Sequence, residues 1–242
     1  MEAQNWQGSQ SRSGIFTLSL DPSGNNTFDV YCDEEWTVVQ RRKDGSEIFD
    51  RGFEDYTNGF GDLAGEFWLG LRKLHLLTQT PSVLLIELQL LNGNRVFAMY
   101  KLFQVRLTGL QNENRYQLIV GNYVGTAGDA LGDLNEVFFS TRDSDNDDDV
   151  VRNCAGTLGS GWWFKKCISQ YTVSVDLNGN YPSGIRWRVG STSHAITSVT
   201  MKIKPKQGND ILKFFFHLLF ITHRVFTRLR DTVNIVCSLD IM

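Results

Sequence analysis

A run of acidic residues is the part of this sequence best suited to bind an ion. Five aspartates lie within residues 143–149, at the start of the segment DSDNDDDVVRNCAGTLGSGWWFKKC. Repulsion among so many carboxylates is unfavourable unless water or a cation neutralises it, and the alternation of Asp143, Asp145 and Asp147 suits a hard ion held by a curled loop. Calcium is therefore the first hypothesis, and a solvated acidic loop without an ion is the alternative.

The spacing within this run disfavours an EF-hand. Position 6 counted from Asp143 is Asp148, where that motif needs glycine, and position 12 is Cys154, where it needs glutamate. A calcium site here would need a loop of another type.

Two cysteines follow the acidic run. Cys154 and Cys167 bracket 12 residues that include Trp162 and Trp163, whose apolar rings could pack over a disulfide. A disulfide that closes a loop of this size stabilises a fold by about 3 kcal/mol. The chain has four cysteines and no CxxC pair, so a zinc ribbon is disfavoured and one or two disulfides are expected.

Local patterns predict strands joined by turns, with one helix. Asn92-Gly93 between two apolar runs predicts a hairpin, and Asp44-Gly45-Ser46 predicts another hairpin turn. The spacing of Phe67, Leu71, Leu74 and Leu77 predicts a helix after a glycine-rich loop. The aromatic residues at 53, 56, 60, 67 and 68 could form a carbohydrate platform, but a buried core is the favoured interpretation. Strands are predicted at 15–17, 28–31, 36–42, 83–90, 96–100, 103–107 and 116–121.

Several motifs resemble one family. The run FFSTRDSDNDDDVVRNCAGTLGSGWWFKKC, with LNGNY at 177–181 and GIRW at 184–187, resembles the calcium-site half of a fibrinogen-like C-terminal domain. SGIFTL, FDVYCDEEWTVVQRR, GEFWLG and the closing SVTMKIKP extend the resemblance over residues 13–205. That family includes the fibrinogen chains, ficolins, tachylectins, tenascins and angiopoietins. The resemblance implies an α+β fold with a central antiparallel sheet, short helices and a loop-rich subdomain for calcium and ligand.

The resemblance also divides the chain into three parts. Residues 1–12 form a polar N-terminal remnant, residues 13–205 the domain, and residues 206–242 a non-homologous apolar and basic tail. The remnant has no apolar stretch of the kind found in a signal peptide, so we expect a fragment or a gene model without its 5′ end. The apolar run of the tail, ILKFFFHLLFIT, is 12 residues long, which is too short to span a bilayer.

The resemblance assigns the calcium ligands. The side chains of Asp145 and Asp147 and the main-chain carbonyls of Asp149 and Val151 would bind the ion, with Asp143 as a supporting charge and water completing the coordination. One residue more than in typical members lies between Asp147 and the first cysteine of the pair.

The resemblance assigns a ligand pocket as well. In ficolins and tachylectins an acetyl group binds beside the second cysteine of this loop, and a non-proline cis peptide aims the backbone donors, a strained feature of the kind found at functional sites. Here the cis bond would be Lys166–Cys167, the donors would be the N–H groups of Cys167 and Ile168, and Leu158 and Tyr181 would form the walls. Ile168 replaces the usual histidine, so an altered pocket is the other possibility.

Three further residues carry hypotheses about their covalent state. The family usually has a cysteine upstream that pairs with the one in VYCD, but no cysteine precedes Cys32, so we expect Cys32 to be an unpaired thiol. Cys237 in the tail has no evident partner. Asn25 begins the sequon Asn25-Asn26-Thr27 beside a turn, which suits a glycan in a secreted protein.

Composition excludes other functions. A net charge of −3 without a basic cluster argues against a nucleic-acid surface. The four histidines have no nucleophile motif near them, and the glycine-rich segment 121–135 lacks a phosphate-loop pattern, so we expect no enzyme.

The leading hypothesis is a secreted, calcium-binding lectin for acetylated glycans in innate immunity. The alternative is a protein-protein interaction module of the extracellular-matrix or receptor-ligand type, and a third reading is a non-functional product of a rearranged gene. A homo-oligomer assembled through a missing upstream region is compatible with the first two.

Overall fold

An antiparallel sheet organises the chain in the computed structural model, which describes residues 13–19, 27–109, 114–167, 175–189 and 192–206. Over these residues the sheet has eleven strands, which confirms the expected α+β fold with few short helices. The strands are β1 Gly14–Ser19, β2 Thr27–Asp33, β3 Trp36–Arg42, β4 Phe60–Gly61, β5 Phe67–Trp68, β6 Ser82–Leu90, β7 Arg95–Thr108, β8 Arg115–Gly125, β9 Val175–Asp176, β10 Arg186–Val189 and β11 Thr192–Pro205.

The last strand lies in the middle of the sheet. The principal order is β1-β2-β3-β11-β6-β7-β8, so β11 is hydrogen-bonded to β3 on one side and to β6 on the other. Lys202 of β11 stands opposite Val38 and Leu85 in the two registers. Strand β11 therefore joins the N-terminal strands β1–β3 to the strands β6–β8.

The helices are short: α1 Phe53–Asn58, α2 Leu71–Leu77, α3 Cys154–Leu158 and a 3-10 turn at Gly132–Leu134. The helix predicted before Leu77 is confirmed from Leu71 onward. Phe67 was wrongly placed in it, since Phe67 belongs to β5 and pairs with Arg41 of β3. The side chain of Phe67 is buried in the core.

The hairpin at Asn92-Gly93 is confirmed between β6 and β7, with Gly93 at φ 85°. The two strands predicted at 96–100 and 103–107 are one strand, β7. Its pairing with β6 shifts register by one residue, from Leu84 opposite Tyr100 to Ser82 opposite Phe103. This bulge buries Tyr100 and Phe103, which are three positions apart, so the two-residue alternation of buried side chains is broken. The sequence therefore suggested two strands where the structure has one.

The turn at residues 44–46 exists but does not form a hairpin. A buried carboxylate organises it: Glu66 Oε1 accepts hydrogen bonds from the backbone N–H groups of Lys43, Asp44 and Gly45 at 2.6, 2.9 and 2.9 Å. The chain then continues as an irregular segment toward α1. The hairpin prediction is wrong because a distant side chain, rather than a partner strand, takes up these donors.

Aromatic side chains fill the core between the helices and the sheet. Tyr56 and Phe139 have ring centroids 5.1 Å apart, and Phe139 meets Trp163 edge to face at 5.0 Å. The Trp68 indole N–H donates to the Tyr56 carbonyl at 2.9 Å. Tyr56, Phe67 and Trp68 are buried and Phe53 and Phe60 are partly buried against the core, which confirms the core interpretation of these five aromatic residues.

Cys32 is buried in β2 and is disulfide-bonded, so the expectation of an unpaired thiol is wrong. Asn25, Ile168, Cys237, the N-terminal remnant and the tail after residue 206 lie outside the described residues. Within the described ranges no helix has the length and apolar character needed to cross a bilayer.

A buried ion pair links β3 to the segment before β5. The side chains of Arg42 and Glu66 are 1% and 0% exposed, with Arg42 Nε 3.5 Å from Glu66 Oε2. Burial raises the pKa of Glu66, but the backbone donors of residues 43–45 and the charge of Arg42 outweigh it, so the pKa lies below its ordinary value. Glu66 is therefore ionised at neutral pH.

We expect Glu66→Gln to lower the free energy of unfolding by about 3 kcal/mol, because it leaves the buried charge of Arg42 uncompensated. Urea unfolding followed by tryptophan fluorescence measures this difference. Glu54→Gln, on the exposed face of α1, is the matched control. Equal stability of the two variants would contradict a role for the ion pair.

Candidate functional site

The acidic run folds into a chain of turns in which Asp145, Asp147 and Asp149 each accept a hydrogen bond from the backbone N–H two residues later. Asp147 Oδ1 accepts from Asp149 N at 2.7 Å, and Asp149 Oδ1 accepts from Val151 N at 3.2 Å. Asp145 Oδ1 stands 3.4 Å from Asp147 N in the same arrangement. These are Asx-turns, so the spacing of the aspartates builds the loop.

The loop is anchored to the disulfide by its other carboxylate oxygens. Asp147 Oδ2 accepts from Cys154 N at 2.9 Å, and Asp149 Oδ2 accepts from Cys167 N at 3.4 Å. Cys154 and Cys167 are bonded to each other, with their Cα atoms 5.4 Å apart. The acidic loop and the cysteine loop are thus one unit.

Helix α3 sets the first cysteine in place. Asn153 caps its N-terminus, with Oδ1 accepting from Gly156 N at 2.7 Å. The helix ends at Gly159, which adopts the left-handed conformation at φ 69°. Asn146 fixes the entry to the loop, since its Nδ2 donates to the Phe139 carbonyl at 3.0 Å.

The electrostatics of the loop centre on Asp147. Its partial burial raises the pKa, the N–H groups of Cys154 and Asp149 lower it, and the neighbouring carboxylate of Asp145 raises it again, for a net pKa of about 6. Two carboxylates in this position repel each other unless a cation lies between them.

The donor set fits calcium. Carboxylate and carbonyl oxygens of Asp145, Asp147, Asp149 and Val151 lie within one hydrogen-bonded loop, and calcium prefers oxygen ligands. The sulfur atoms beside Asp149 are not ligands, because they form the disulfide.

Asp143 lies apart from this set. Its Oδ1 accepts from Phe53 N at 2.9 Å and from Thr141 Oγ1 at 2.7 Å, which ties the start of the loop to the first residue of α1. It therefore has a structural contact in addition to any charge effect on a cation.

Leu158, Cys167 and Tyr181 of the predicted ligand pocket lie within the described residues, and Ile168 lies outside them. Leu158 ends α3, and the next residue, Gly159, approaches Asn180 so closely that a Cβ would lie 2.8 Å from Asn180 Nδ2. Tyr181 is 36% exposed and its ring lies against Gly45, where a Cβ would meet it at 2.7 Å. The walls predicted from the sequence therefore come from segments that lie side by side.

The backbone at the second cysteine differs from the expectation. The cis peptide bond of the described residues is Tyr181–Pro182, and Lys166–Cys167 is not cis. The Cys167 N–H, expected to face a ligand, is directed to Asp149 Oδ2.

A buried polar network behind the loop was missed by the sequence analysis. Gln40 Nε2 donates to the Leu177 carbonyl and Arg42 Nη1 donates to the Gly179 carbonyl, both at 2.8 Å. Asn178 Nδ2 donates to the Gly161 carbonyl at 2.9 Å. The polar run Gln40-Arg41-Arg42 follows buried valines within one strand, and buried polar side chains need specific partners. This pattern could have predicted a buried polar network.

Asp176 completes this network. Its Oδ2 accepts from Ser160 Oγ at 2.7 Å and its Oδ1 from Asn178 N at 3.1 Å. Complete burial raises the pKa of Asp176 to about 6, although these hydrogen bonds and the charges of Arg42 and Arg186 oppose the shift. Tyr56, whose hydroxyl accepts from Gly161 N at 3.0 Å, faces the same interior.

We expect the pKa of Asp176 to make stability depend on pH. Because its folded pKa of about 6 exceeds the unfolded value of 3.8, the native state binds the proton more tightly. This contribution is present at pH 4, falls as pH rises through 6 and is absent at pH 7.4. Relative to Asp176→Asn, the wild type should gain about 1 kcal/mol between pH 7.4 and pH 5.

Chemical denaturation of the wild type and of Asp176→Asn at pH 7.4 and pH 5 measures how the difference in their free energies of unfolding changes with pH. Other carboxylates that titrate in this range cancel in the comparison. Asp133→Asn, an exposed aspartate of the 3-10 turn, should follow the wild type. A wild type and an Asp176→Asn variant with parallel pH profiles would exclude the raised pKa.

Comparison with known proteins identifies similar chains. Residues 2–206 match the family described as fibrinogen beta and gamma chains, C-terminal globular domain. Human fibroleukin is 44% identical over 182 residues, which cover 70% of this chain and 39% of fibroleukin. Human fibrinogen-like protein 1 is 41% identical over 209 residues, which cover 76% of this chain and 64% of that protein.

Solved structures show the same fold. The fibrinogen-like globe domain of human ANGPTL2 superposes with a TM-score of 0.70 at 32% identity, over 81% of this chain and 93% of that one. Lamprey fibrin D-dimer in complex with the peptide Gly-His-Arg-Pro-amide gives 0.67 at 31% identity, over 82% and 70% of the two chains. The present chain spans 39–48% of the first curated relatives it matches.

Proposed function

The chain belongs to the fibrinogen C-terminal globular domain family, and on that premise we propose that it is a recognition module for an extracellular protein ligand. This family consists of non-enzymatic binding modules. The relatives reported above are fibrinogen and fibrinogen-like proteins, which favours the protein-binding alternative over the glycan-binding one. Lamprey fibrin D-dimer, whose fold this chain shares, was solved with a peptide ligand.

The exposed tip of the acidic loop is the observation that carries the proposal. Val150 and Val151 are 99% and 80% exposed, directly after Asp147–Asp149. The turns and the disulfide hold this tip in one conformation, so little conformational entropy is lost when a partner covers it. Acidic and apolar groups side by side complement a peptide with both cationic and apolar side chains.

Calcium is proposed as the structural cofactor of this loop. The carboxylates of Asp145 and Asp147 and the carbonyls of Asp149 and Val151 would hold it. When bound, the ion supplies positive charge that removes the repulsion between the two carboxylates. The chain itself contributes the Asx-turns and the hydrogen bond from Cys154 N to Asp147 Oδ2, which keep the proposed ligand residues in one loop.

Recognition of acetylated glycans is less well supported. That mechanism needs the Cys167 N–H to donate to an acetyl oxygen, whereas here it points to Asp149 Oδ2 at 3.4 Å. Ile168, the second donor, lies outside the described residues. A pocket that binds sugars would therefore require this N–H to change partner.

The proposal includes secretion. Cys154–Cys167 and the disulfide at Cys32 support an oxidising compartment, since such bonds are rare in the cytosol. A partner outside the cell follows from secretion, and the relatives are longer than the part that matches this chain, which is compatible with an oligomer formed through other regions.

We expect Asp145→Asn to weaken calcium binding at least about tenfold, because it removes one ligand charge but keeps the acceptor for Asp147 N. Asp148→Asn, an exposed neighbour that is not a proposed ligand, should weaken it far less. Isothermal titration of calcium into the full chain measures both. Equal losses in the two variants would show a diffuse effect of charge in place of a specific site.

The nature of the ligand is tested on the calcium-loaded chain with two probes. We expect Gly-His-Arg-Pro-amide to bind more tightly than N-acetylglucosamine, and Val150→Ser/Val151→Ser to weaken the peptide by about tenfold. Val124→Ser, at a valine that is 47% exposed on β8, is the control. Tighter binding of the sugar would restore the lectin hypothesis.

A further inference from the structure

A cleft of about 210 Å³ lies between β2, the β4–β5 hairpin and the start of α2. Phe60, Leu63 and Phe67 give it an apolar lining, with Asp29 and Lys73 among the lining residues. None of its lining residues belongs to the acidic loop or the cysteine loop. It is therefore a separate feature from the site described above.

Lys73 brings a cation into this cleft, beside its apolar residues. Its Nζ donates to the Asn58 carbonyl at 3.1 Å and lies 5.7 Å from the centroid of the Phe28 ring. Its two other N–H bonds have no acceptor among the described residues. Burial lowers the pKa of Lys73, and the charge of Asp29 partly opposes this.

Asp29 supplies an acceptor to the same cleft. Its Oδ1 accepts from Thr17 Oγ1 at 2.6 Å, which holds the carboxylate in place. The side chain is otherwise exposed. A ligand that satisfies both rim charges must carry an anionic group for Lys73 and a donor for Asp29.

We propose that this cleft binds the C-terminal residue of a peptide. The terminal carboxylate contacts the Lys73 ammonium, the last amide N–H donates to Asp29, and an apolar side chain packs on Phe60, Leu63 and Phe67. Capture of a free C-terminus is a recurrent mode of peptide recognition.

The size and charge of the cleft favour this occupant. Pockets for whole drug-sized molecules measure about 300–1,000 Å³, so 210 Å³ suits one side chain and its carboxylate. A multiply charged anion such as phosphate would be repelled by Asp29, whereas a monocarboxylate next to an amide donor matches both rim groups.

The experiment compares N-acetyl-Gly-Gly-Phe as the free acid with the same peptide as its C-terminal amide. Both are titrated into the ¹⁵N-labelled full chain in EDTA, and amide shifts are followed at Gly61 and at the Trp68 indole. We expect the amide to bind about tenfold more weakly than the acid, since it lacks the charge that contacts Lys73.

Variants locate the contact. Lys73→Gln should weaken the acid about tenfold, Lys73→Arg should retain most of the binding, and Lys101→Gln, an exposed lysine of β7, should leave it unchanged. Dispersed spectra show that each variant is folded.

Equal affinity for acid and amide would overturn the proposal, and this comparison on the wild type needs no variant. Equal loss in Lys73→Gln and Lys101→Gln would also overturn it, as would an absence of shifts at Gly61 and Trp68 at millimolar peptide. Because EDTA removes calcium, failure of the acidic-loop proposal leaves this result unaffected.

Discussion

The rest of the structure depends on the buried contacts that the guanidinium of Arg42 makes. The guanidinium stands at the end of β3, 1% exposed, between the carboxylate of Glu66 and the carbonyl of Gly179. A buried cation is stable only with such partners. By binding both, Arg42 fixes the turn after β3 and the segment after β9 against the same strand.

The site is built outward from these contacts in layers. Asn178 and Asp176 connect the buried network to Gly161 and Ser160, which precede the paired tryptophans. Cys167 follows the tryptophans in the sequence and forms the disulfide with Cys154. Its backbone N–H donates to Asp149 of the acidic loop. The acidic loop therefore lies at one end of this series of contacts and the buried network at the other.

Much of this organisation can be read from the chain. The Asn92-Gly93 hairpin, the strand at 36–42 and the helix from Leu71 follow from local turn chemistry and periodicity, and the family motifs carry the fold class. The misassigned parts depend on contacts distant in sequence. Phe67 has helical spacing, yet its pairing with Arg41 places it in a strand. The bulge in β7 arises from register with β6. Asp176 has no local motif, and its environment includes Ser160 and Arg42, which are distant in sequence.

The central position of β11 has a consequence for synthesis. Until residue 205 has left the ribosome, β3 and β6 each lack the neighbour that separates them in the finished sheet. Two strand edges with unpaired backbone groups are then exposed at once, and such edges pair readily with other chains. The domain must wait for nearly all of its sequence before β11 pairs with β3 and β6, and until then these exposed edges make the nascent chain prone to aggregation.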